Sequence, residues 1–405
     1  KDITEANNIL YNHKENSFHE FEREPLIPHM VSTEGPALTV ADLNHDGLDD
    51  LFIGSSRDGK SVVFLQQKSG KFIRTVQPDI EKDSANENVA SCVADINNDG
   101  FPDLIIANGG NEFYGQDQHL TPNIYLNDGK GTFKKLLNPF DSLFVNASCV
   151  VACDFNKDGY PDLFIGAKSV PFNYGKTPRS YLLENNGKGK FKDVTEKYAH
   201  GLAMAGFVSN ALWFDLNKDG KEDLIISLEW GGILAFVSHN GIFEEKVLTD
   251  KKGWWNFILP VDLKNDGQID LIAGNRGLNS RLKATDQEPV RLYYYDFDGN
   301  GKKDQVMSYY LDGRELPFAN KAELEKQIPT LKKKFLYAED FAKAAFTDIF
   351  PRDKLDKAEV LTANYFSNAV LLNQGNLNFK TQALPWKAQL SSYRDAVVVD
   401  ANHDS

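Results

Sequence analysis

Short apolar runs alternate along this chain with clusters of Asp, Asn and Gly. The clearest case is "ADLNHDGLDDLFIG" at residues 41–54, where oxygen-bearing side chains occupy alternate positions, a glycine follows, and a wholly apolar run comes next. The pattern returns as "ADINNDGFPDLIIA" from Ala94, "CDFNKDGYPDLFIG" from Cys153, "FDLNKDGKEDLIIS" from Phe214, "VDLKNDGQIDLIAG" from Val261 and "YDFDGNGKKDQVMS" from Tyr295. A seventh copy, "VDANHDS", starts at Val399 and stops with the chain. The first acids, Asp42, Asp95, Asp154, Asp215, Asp262, Asp296 and Asp400, lie 53, 59, 61, 47, 34 and 104 residues apart. That is too wide for one hairpin and too irregular for a strict solenoid. It suits a four-stranded propeller blade with loops of varying length.

A second element repeats between the copies: "NIYLNDGKGTF" at Asn123, "SYLLENNGKGKF" at Ser180 and "AVLLNQGNLNF" at Ala369, with a looser "NILYNHKENSF" at Asn8. Each reads as strand, Asn/Gly turn, strand. A blade then has an inner strand, the Asp-rich loop, a second strand and an outer hairpin. The N-terminal copy has no Asp-rich loop before it, so the N-terminus is expected to supply outer strands to the last blade and close the ring. Closure removes exposed strand edges.

The acid spacing fits one cation per loop. Oxygens at positions 1, 3, 5 and 9, with the carbonyl of position 7, can wrap a Ca²⁺ ion at about 2.3–2.6 Å, and Gly at position 6 permits the sharp turn. The candidate ligands are Asp42, Asn44, Asp46, Leu48 and Asp50; Asp95, Asn97, Asp99, Phe101 and Asp103; Asp154, Asn156, Asp158, Tyr160 and Asp162; Asp215, Asn217, Asp219, Lys221 and Asp223. The fifth loop offers Asp262, Asp266, Gln268 and Asp270, but Lys264 stands at position 3, where its ammonium could replace the ion. The sixth offers Asp296, Asp298, Asn300, Lys302 and Asp304, and the seventh Asp400, Asn402 and Asp404 without a closing acid. An EF-hand begins the same way but needs Glu at position 12 and flanking helices. Here position 12 is Ile53, Ile106, Ile165, Ile226 or Ala273, inside an apolar run. Polar turns alone would also favour Asp, Asn and Gly. Four complete copies in register speak for several structural calcium ions, in weak sites suited to an extracellular medium.

The remaining composition narrows the picture. The 405 residues carry a formal charge of −13, which argues against nucleic acid, whose phosphates need a basic surface. No apolar stretch approaches the ~20 residues of a membrane span. The repeats cover nearly all of residues 1–405, so one propeller domain, monomeric, is expected. The chain begins at Lys1, as a processed or trimmed product would. Cys92, Cys149 and Cys153 read as buried small residues; an odd count leaves at least one free thiol. Residues 319–360 break the rhythm and read as two or three short amphipathic helices punctuated by Pro329 and Pro351, an insertion in the sixth blade.

These repeats resemble the FG-GAP (VCBS) repeats of integrin α-chain propellers. The strings "HKENSFHEFEREPLIPHMVSTEGPAL", "GNRGLNSRLKA" and "LPWKAQLSSYRDAVVVD" look similar to bacterial surface proteins related to cartilage acidic protein, in which a small ASPIC/UnbV-type domain follows the propeller. The resemblance implies an all-β, seven-bladed β-propeller of four-stranded antiparallel blades, calcium in the Asp-rich loops, and ligand recognition on the opposite face. It also implies an exported, cell-surface protein, often lipid-anchored, with a protein or glycan as partner.

The loops of that opposite face hold Glu34, Asn88, Glu112, Tyr114, Tyr174, Arg179, Trp230, Trp254, Trp255, Asn275, Arg276, Tyr393 and Arg394. Aromatics beside Arg and Asn suit a sugar or a peptide segment; packing, or a plugged pore for Trp254 and Trp255, would also explain them. Three functions compete: a calcium-stabilised binding module, a calcium-assisted polysaccharide lyase or hydrolase, and a scaffold for a further domain. No H-E-x-x-H, G-x-S-x-G or P-loop motif occurs. A convergent acid/base pair on the upper face would favour the enzyme.

Overall fold

The computed structural model describes residues 2–239 and 241–399. The fold is all-β and propeller-like. Three consecutive four-stranded antiparallel sheets run in chain order: Leu38–Ala41, Asp50–Ile53, Val62–Gln66 and Phe72–Thr75; then Asn88–Ala94, Asp103–Asn108, Asn123–Asn127 and Phe133–Lys135; then Ala147–Cys153, Asp162–Ala167, Tyr181–Asn185 and Phe191–Asp193. Their first strands lie side by side and continue to the first strands of the fourth and fifth sheets.

The apolar runs after each Asp-rich loop become second strands buried on both faces, and their period of two divides them between neighbouring cores. Leu104 and Ile106 pack between sheets one and two, while Ile105 and Ala107 pack between sheets two and three. The same division continues with Phe164 facing sheet four and Ile225 facing sheet five. Each such side chain removed from water contributes roughly 1.5–3 kcal/mol, so the intersheet layers hold neighbouring sheets together.

Polar links reinforce it. Asn127 Nδ2 donates to Leu43 O (2.8 Å) and Asn185 Nδ2 to Ile96 O (2.9 Å), each reaching back to the preceding loop. The position-4 side chain of one loop reaches the position-6 carbonyl of the next: Asn98 to Gly159 (2.8 Å), Lys157 to Gly220 (3.1 Å) and Lys218 to Gly267. The second to fifth Asp-rich loops therefore share one face.

Four expectations are corrected. The fourth sheet has three strands, Phe207–Phe214 and a long hairpin of Asp223–His239 with Ile242–Trp254, because "SLEW" continues the second strand into its partner. The hairpin Ala369–Asn373/Phe379–Ala383 belongs to the fifth sheet, where Leu371 pairs with Leu271 and Ala369 with Ala273. Residues 275–368 are thus an excursion from within that sheet, carrying a sheet of their own (Val290–Tyr295, Asp304–Leu311, Arg314–Pro317, Glu359–Ala363) and five short helices between Lys321 and Leu355. The sixth Asp-rich loop lies in this excursion, and the helices pack on its sheet through Tyr293, Phe297 and Val306. Lastly, the "NILYNHKENSF" segment forms no strand. It lies against the first sheet, with Tyr11 Oη donating to Gly54 O, and Phe72 N donating to the carbonyl of Asn7 just before the segment. The seventh copy, with Asp400, Asn402 and Asp404, lies outside the described residues. All three cysteines are free thiols.

Candidate functional site

The Asp-rich loops repeat one hydrogen-bond scheme. In the first, Asp46 N and Gly47 N donate to the two oxygens of Asp42 (3.0 and 2.8 Å), and Leu48 N donates to Asp46 Oδ1 (3.0 Å). The second, third and fourth loops repeat these bonds. Gly47 has a φ of +84°, as expected. Position 4 is also left-handed in non-glycine residues, with φ +61° at His45, +56° at Asn98 and +59° at Lys157, which the spacing had not revealed.

The closing acid at position 9 has a structural task of its own. Asp50 accepts from Leu43 N within its loop (2.9 Å) and from Gln66 N on the third strand (2.7 Å); Asp103 and Asp223 do the same in their sheets. Burial, with the neighbouring loop acids adding to it, pushes Asp103, Asp223 and Asp304 up to about 6 and Asp162 up to about 7, against the pull of their hydrogen bonds. Ionised acids are therefore costly here without a compensating cation.

Three observations bear on whether a hard cation fits. Among the described residues, the acids of the sixth loop, Asp296, Asp298 and Asp304, bring carboxylate oxygens within 4.8 Å of one another. In the third loop the buried Asp162 Oδ2 has no hydrogen-bond partner. In the fifth loop Lys264 Nζ lies 3.6 Å from Asp270 and 3.9 Å from Asp266, where an ion would otherwise sit.

The opposite face holds a second constellation. His29 to Glu34 come from the irregular N-terminal segment, Lys168 follows the second strand of sheet three, and Glu229 sits in the long strand of sheet four beside both Phe207 and Trp254. Trp254 ends the next strand, Arg276 follows the second strand of sheet five, and residues 392–394 close the ring of contributors. Together they enclose a cavity of about 290 Å³.

At its floor Glu229, 4% exposed, accepts from His29 Nε2 (2.6 Å) and Tyr174 Oη, and lies 3.1 Å from Lys168 Nζ. Lys168, also buried, reaches Glu34 at 3.5 Å, and Glu34 pairs with Arg394 at 3.2 Å. Trp230 Nε1 donates to Tyr174 Oη (2.9 Å), and Trp230 holds a φ of +63°, a costly conformation for a bulky residue. Arg276 lies over the Trp254 ring, 4.9 Å from its centroid, and His29 meets Trp254 edge-on at 5.4 Å.

Burial opposes charge at each of these groups, but mutual pairing wins. The Glu229 and Glu34 carboxylates are held below their ordinary value of 4.5, His29 is held above 6.5, and Lys168 above 10.5. The raised His29 contributes stability below pH 6.5 that fades as pH rises through its folded value. The depressed Glu229 contributes stability above pH 4.5 that fades as pH falls through its own. Melting temperatures recorded from pH 5 to 9 are therefore expected to fall more steeply above pH 6.5 in the wild type than in His29→Gln. Parallel curves would remove His29 from the charged network.

The expected ligand-face residues divide accordingly. Glu34, Trp254, Arg276 and Arg394 line the cavity, and Tyr174, Trp230 and Asn275 support it from behind, Asn275 Oδ1 accepting from Trp254 N at 3.0 Å. Tyr393 contributes through its backbone, its carbonyl accepting from Asn256 Nδ2 at 3.2 Å. The others lie elsewhere. Asn88 is buried against Ser61 and Asn108, and Trp255 is wholly buried between sheets four and five, where its Nε1 donates to Lys251 O. Glu112 pairs with Arg57, and Tyr114 packs edge-on against Phe172. Arg179 bonds Asp193 and Glu196 at the outer strand, because the "KTPR" loop turns outward there. His29, Lys168 and Glu229 were missed. For the last two the available signal was a charged residue abutting an apolar strand run, in "FIGAK" and "IISLE".

The FG-GAP-like repeat family matches residues 42–106 and 95–165, and the FG-GAP repeat family matches residues 148–183. Human integrin alpha-7 is 27% identical over 184 residues, covering 42% of this chain and 15% of that protein. Mouse phosphatidylinositol-glycan-specific phospholipase D is 29% identical over 186 residues, 40% of this chain and 22% of that protein. A T-cell immunomodulatory protein homolog from Plasmodium yoelii yoelii is 27% identical over 221 residues, 47% and 29% of the two chains. The chain thus spans less than a third of each of these relatives. Among solved structures, a GH43 β-1,3-galactosidase with galactodeoxynojirimycin overlaps 59% of this chain and 84% of its own at a TM-score of 0.34 and 13% identity. No helix among the described residues is long and apolar enough to cross a membrane.

Proposed function

We infer that this chain, whose repeats are FG-GAP repeats, is a calcium-stabilised extracellular binding module that receives a glycan or protein ligand in the cavity opposite its Asp-rich loops. The observation that carries the reading is the cavity itself. Side chains from the N-terminal segment, three sheets, Ser392 and Arg394 converge on it, behind a buried charge network and a strained Trp230. Convergent polar groups in a formed depression, far from the fold's repeating element, are what ligand recognition requires.

Binding is favoured over a lyase or hydrolase by the charge states of these groups. A general base works best with a pKa near the operating pH. Here Lys168 is held protonated, Glu229 is held ionised by three partners, and Tyr174 is raised well above its ordinary 10. Such a set orients and attracts a ligand and is poorly placed to move protons. Calcium belongs to the same reading: the sixth loop supplies three converging carboxylates, and the elevated closing acids of the other loops would be relieved by a cation.

The test is binding of the calcium-loaded chain to arrays of glycans and extracellular proteins, repeated with Arg276→Ala. Specific hits lost in the variant are expected. Hits that survive the substitution would place the ligand elsewhere and overturn the assignment.

A further inference from the structure

Position 4 is strained in the same way in the first five Asp-rich loops. His45, Asn98, Lys157, Lys218 and Asn265 hold φ values between +55° and +61°. Glycine, and at times asparagine, takes that conformation readily; lysine does not. Such strain persists where the surroundings fix it, and it concentrates at functional positions. What the strained residues share is reach. Asn98 Nδ2 donates to Gly159 O (2.8 Å), Lys157 Nζ to Gly220 O (3.1 Å) and Lys218 Nζ to Gly267 O, each in the next loop. The first loop makes its contact by packing, His45 meeting Phe101 of the second loop edge-on at 5.9 Å. The residue type changes along the series, and the neighbour it touches is always the next loop.

The sixth loop supplies the contrast. It lies in the excursion, and its position 4 is Gly299, with a φ of +77°. A Cβ there would meet no atom within 4 Å, so space does not demand the glycine. A side chain is kept at position 4 where it bridges two loops and is dispensed with where the loop stands apart.

The peptide that receives the bridge bears on cation binding. Gly159 O and Tyr160 N belong to one peptide unit, and Tyr160 N donates to Asp158 Oδ1 (2.9 Å). In the fourth loop Lys221 N donates to Asp219 Oδ1 in the same way (3.0 Å). Asp158 and the Tyr160 carbonyl are candidate ligands of the third loop, as Asp219 and the Lys221 carbonyl are of the fourth. The peptide between each pair is thus held on its N–H side by its own loop and on its carbonyl side by the preceding one. In the donor loop, position 4 sits between two further candidate ligands, Asn97 and Asp99 in the case of Asn98. Gathering these about one ion fixes the backbone of Asn98, and its side chain then fixes the peptide in the third loop. A loop already ordered gives up less freedom on binding its own ion. The effect is reciprocal, as any linkage between two sites must be.

We propose that Asn98 and Lys157 are positioning residues that couple calcium binding in the second, third and fourth loops, so that these loops fill cooperatively. The series ends at the fifth loop, where Lys264 lies beside Asp266 and Asp270, and the sixth loop fills independently. The proposal rests on the calcium reading of the Asp-rich loops.

The experiment is calorimetric titration of the chelator-stripped full chain with calcium, with bound metal counted at saturation. The wild type is expected to show a Hill coefficient greater than unity. Asn98→Ala combined with Lys157→Ala is expected to bind as many ions, with the coefficient falling towards unity and the midpoint rising about fivefold. Asn98→Lys keeps a donor of sufficient reach and is expected to titrate as the wild type does. Asp296→Asn with Asp298→Asn is expected to remove one ion and leave the cooperativity of the rest unchanged. Asn98 and Lys157 are both exposed, so the variants are expected to fold, which melting in chelator reports. Several ions bound with a coefficient of unity would overturn the coupling and leave the calcium reading standing. A double variant that titrates like the wild type would overturn the role of the two side chains. No bound calcium would overturn both readings.

Discussion

Lys168→Met is expected to destabilise the folded chain by about 3–5 kcal/mol, because removing one partner of a buried ion network strands the other charges. Lys168 is 4% exposed and lies within 3.1 Å of Glu229 and 3.5 Å of Glu34, so its loss leaves two carboxylates short of a cation in a water-poor site. Adding Glu229→Gln to that background removes one stranded charge while preserving shape. The double variant is therefore expected to recover part of the loss, which a double-mutant cycle in urea unfolding would show. A loss below about 1 kcal/mol for Lys168→Met would mean that water screens the network as it screens a surface pair. The cavity would then be far more open than its geometry implies.

Calcium is expected to have the other large effect. Ligand that binds only the native state stabilises by about 2.7 kcal/mol per site when present at a hundred times its Kd. Extracellular oxygen-ligand sites have Kd values of roughly 10⁻⁴–10⁻³ M, so about 10 mM calcium approaches that regime. Several loops filling together would raise the melting temperature progressively across the millimolar range. Magnesium should do less, since it demands tight octahedral geometry and sheds water reluctantly. Asp296→Asn with Asp298→Asn should remove one increment, because both acids belong to the sixth loop's converging cluster. The fifth loop should contribute none, as Lys264 already lies between Asp266 and Asp270. Superimposable melting curves in calcium and in chelator would leave the loops as polar turns.

Much of the architecture was legible because it repeats. Among the described residues the Asp/Asn/Gly register located each strand-one to strand-two turn, and the apolar runs after it became strands buried on both sides, as with Leu104 to Ala107. Connectivity was harder to read. "AVLLNQGNLNF" has the outer-hairpin pattern wherever it falls in the chain, and only the pairing of Leu271 with Leu371 reveals that it completes the fifth sheet across a long excursion. The N-terminal "NILYNHKENSF" carries the same local pattern without becoming a strand. A hairpin signature fixes a local turn and says nothing about which sheet edge will accept it.

The candidate site was half legible for a related reason. Arg276, Arg394, Trp254 and Glu34 stood out as unusual chemistry in loops opposite the Asp-rich ones, and they line the cavity. Lys168 and Glu229 did not, since each abuts an apolar strand and gains its role only when sheets three and four are side by side. His29 comes from a segment with no periodicity at all. Arg179 shows the converse, a conspicuous loop residue that turns outward to acids on its own sheet.

The measurement that tests the account most directly is a calorimetric titration of the chelator-stripped chain with calcium, with bound metal counted by elemental analysis. More than one calcium ion per chain is expected at millimolar concentration, and one fewer when Asp296 and Asp298 are both replaced by Asn. No bound calcium in a folded chain would contradict it.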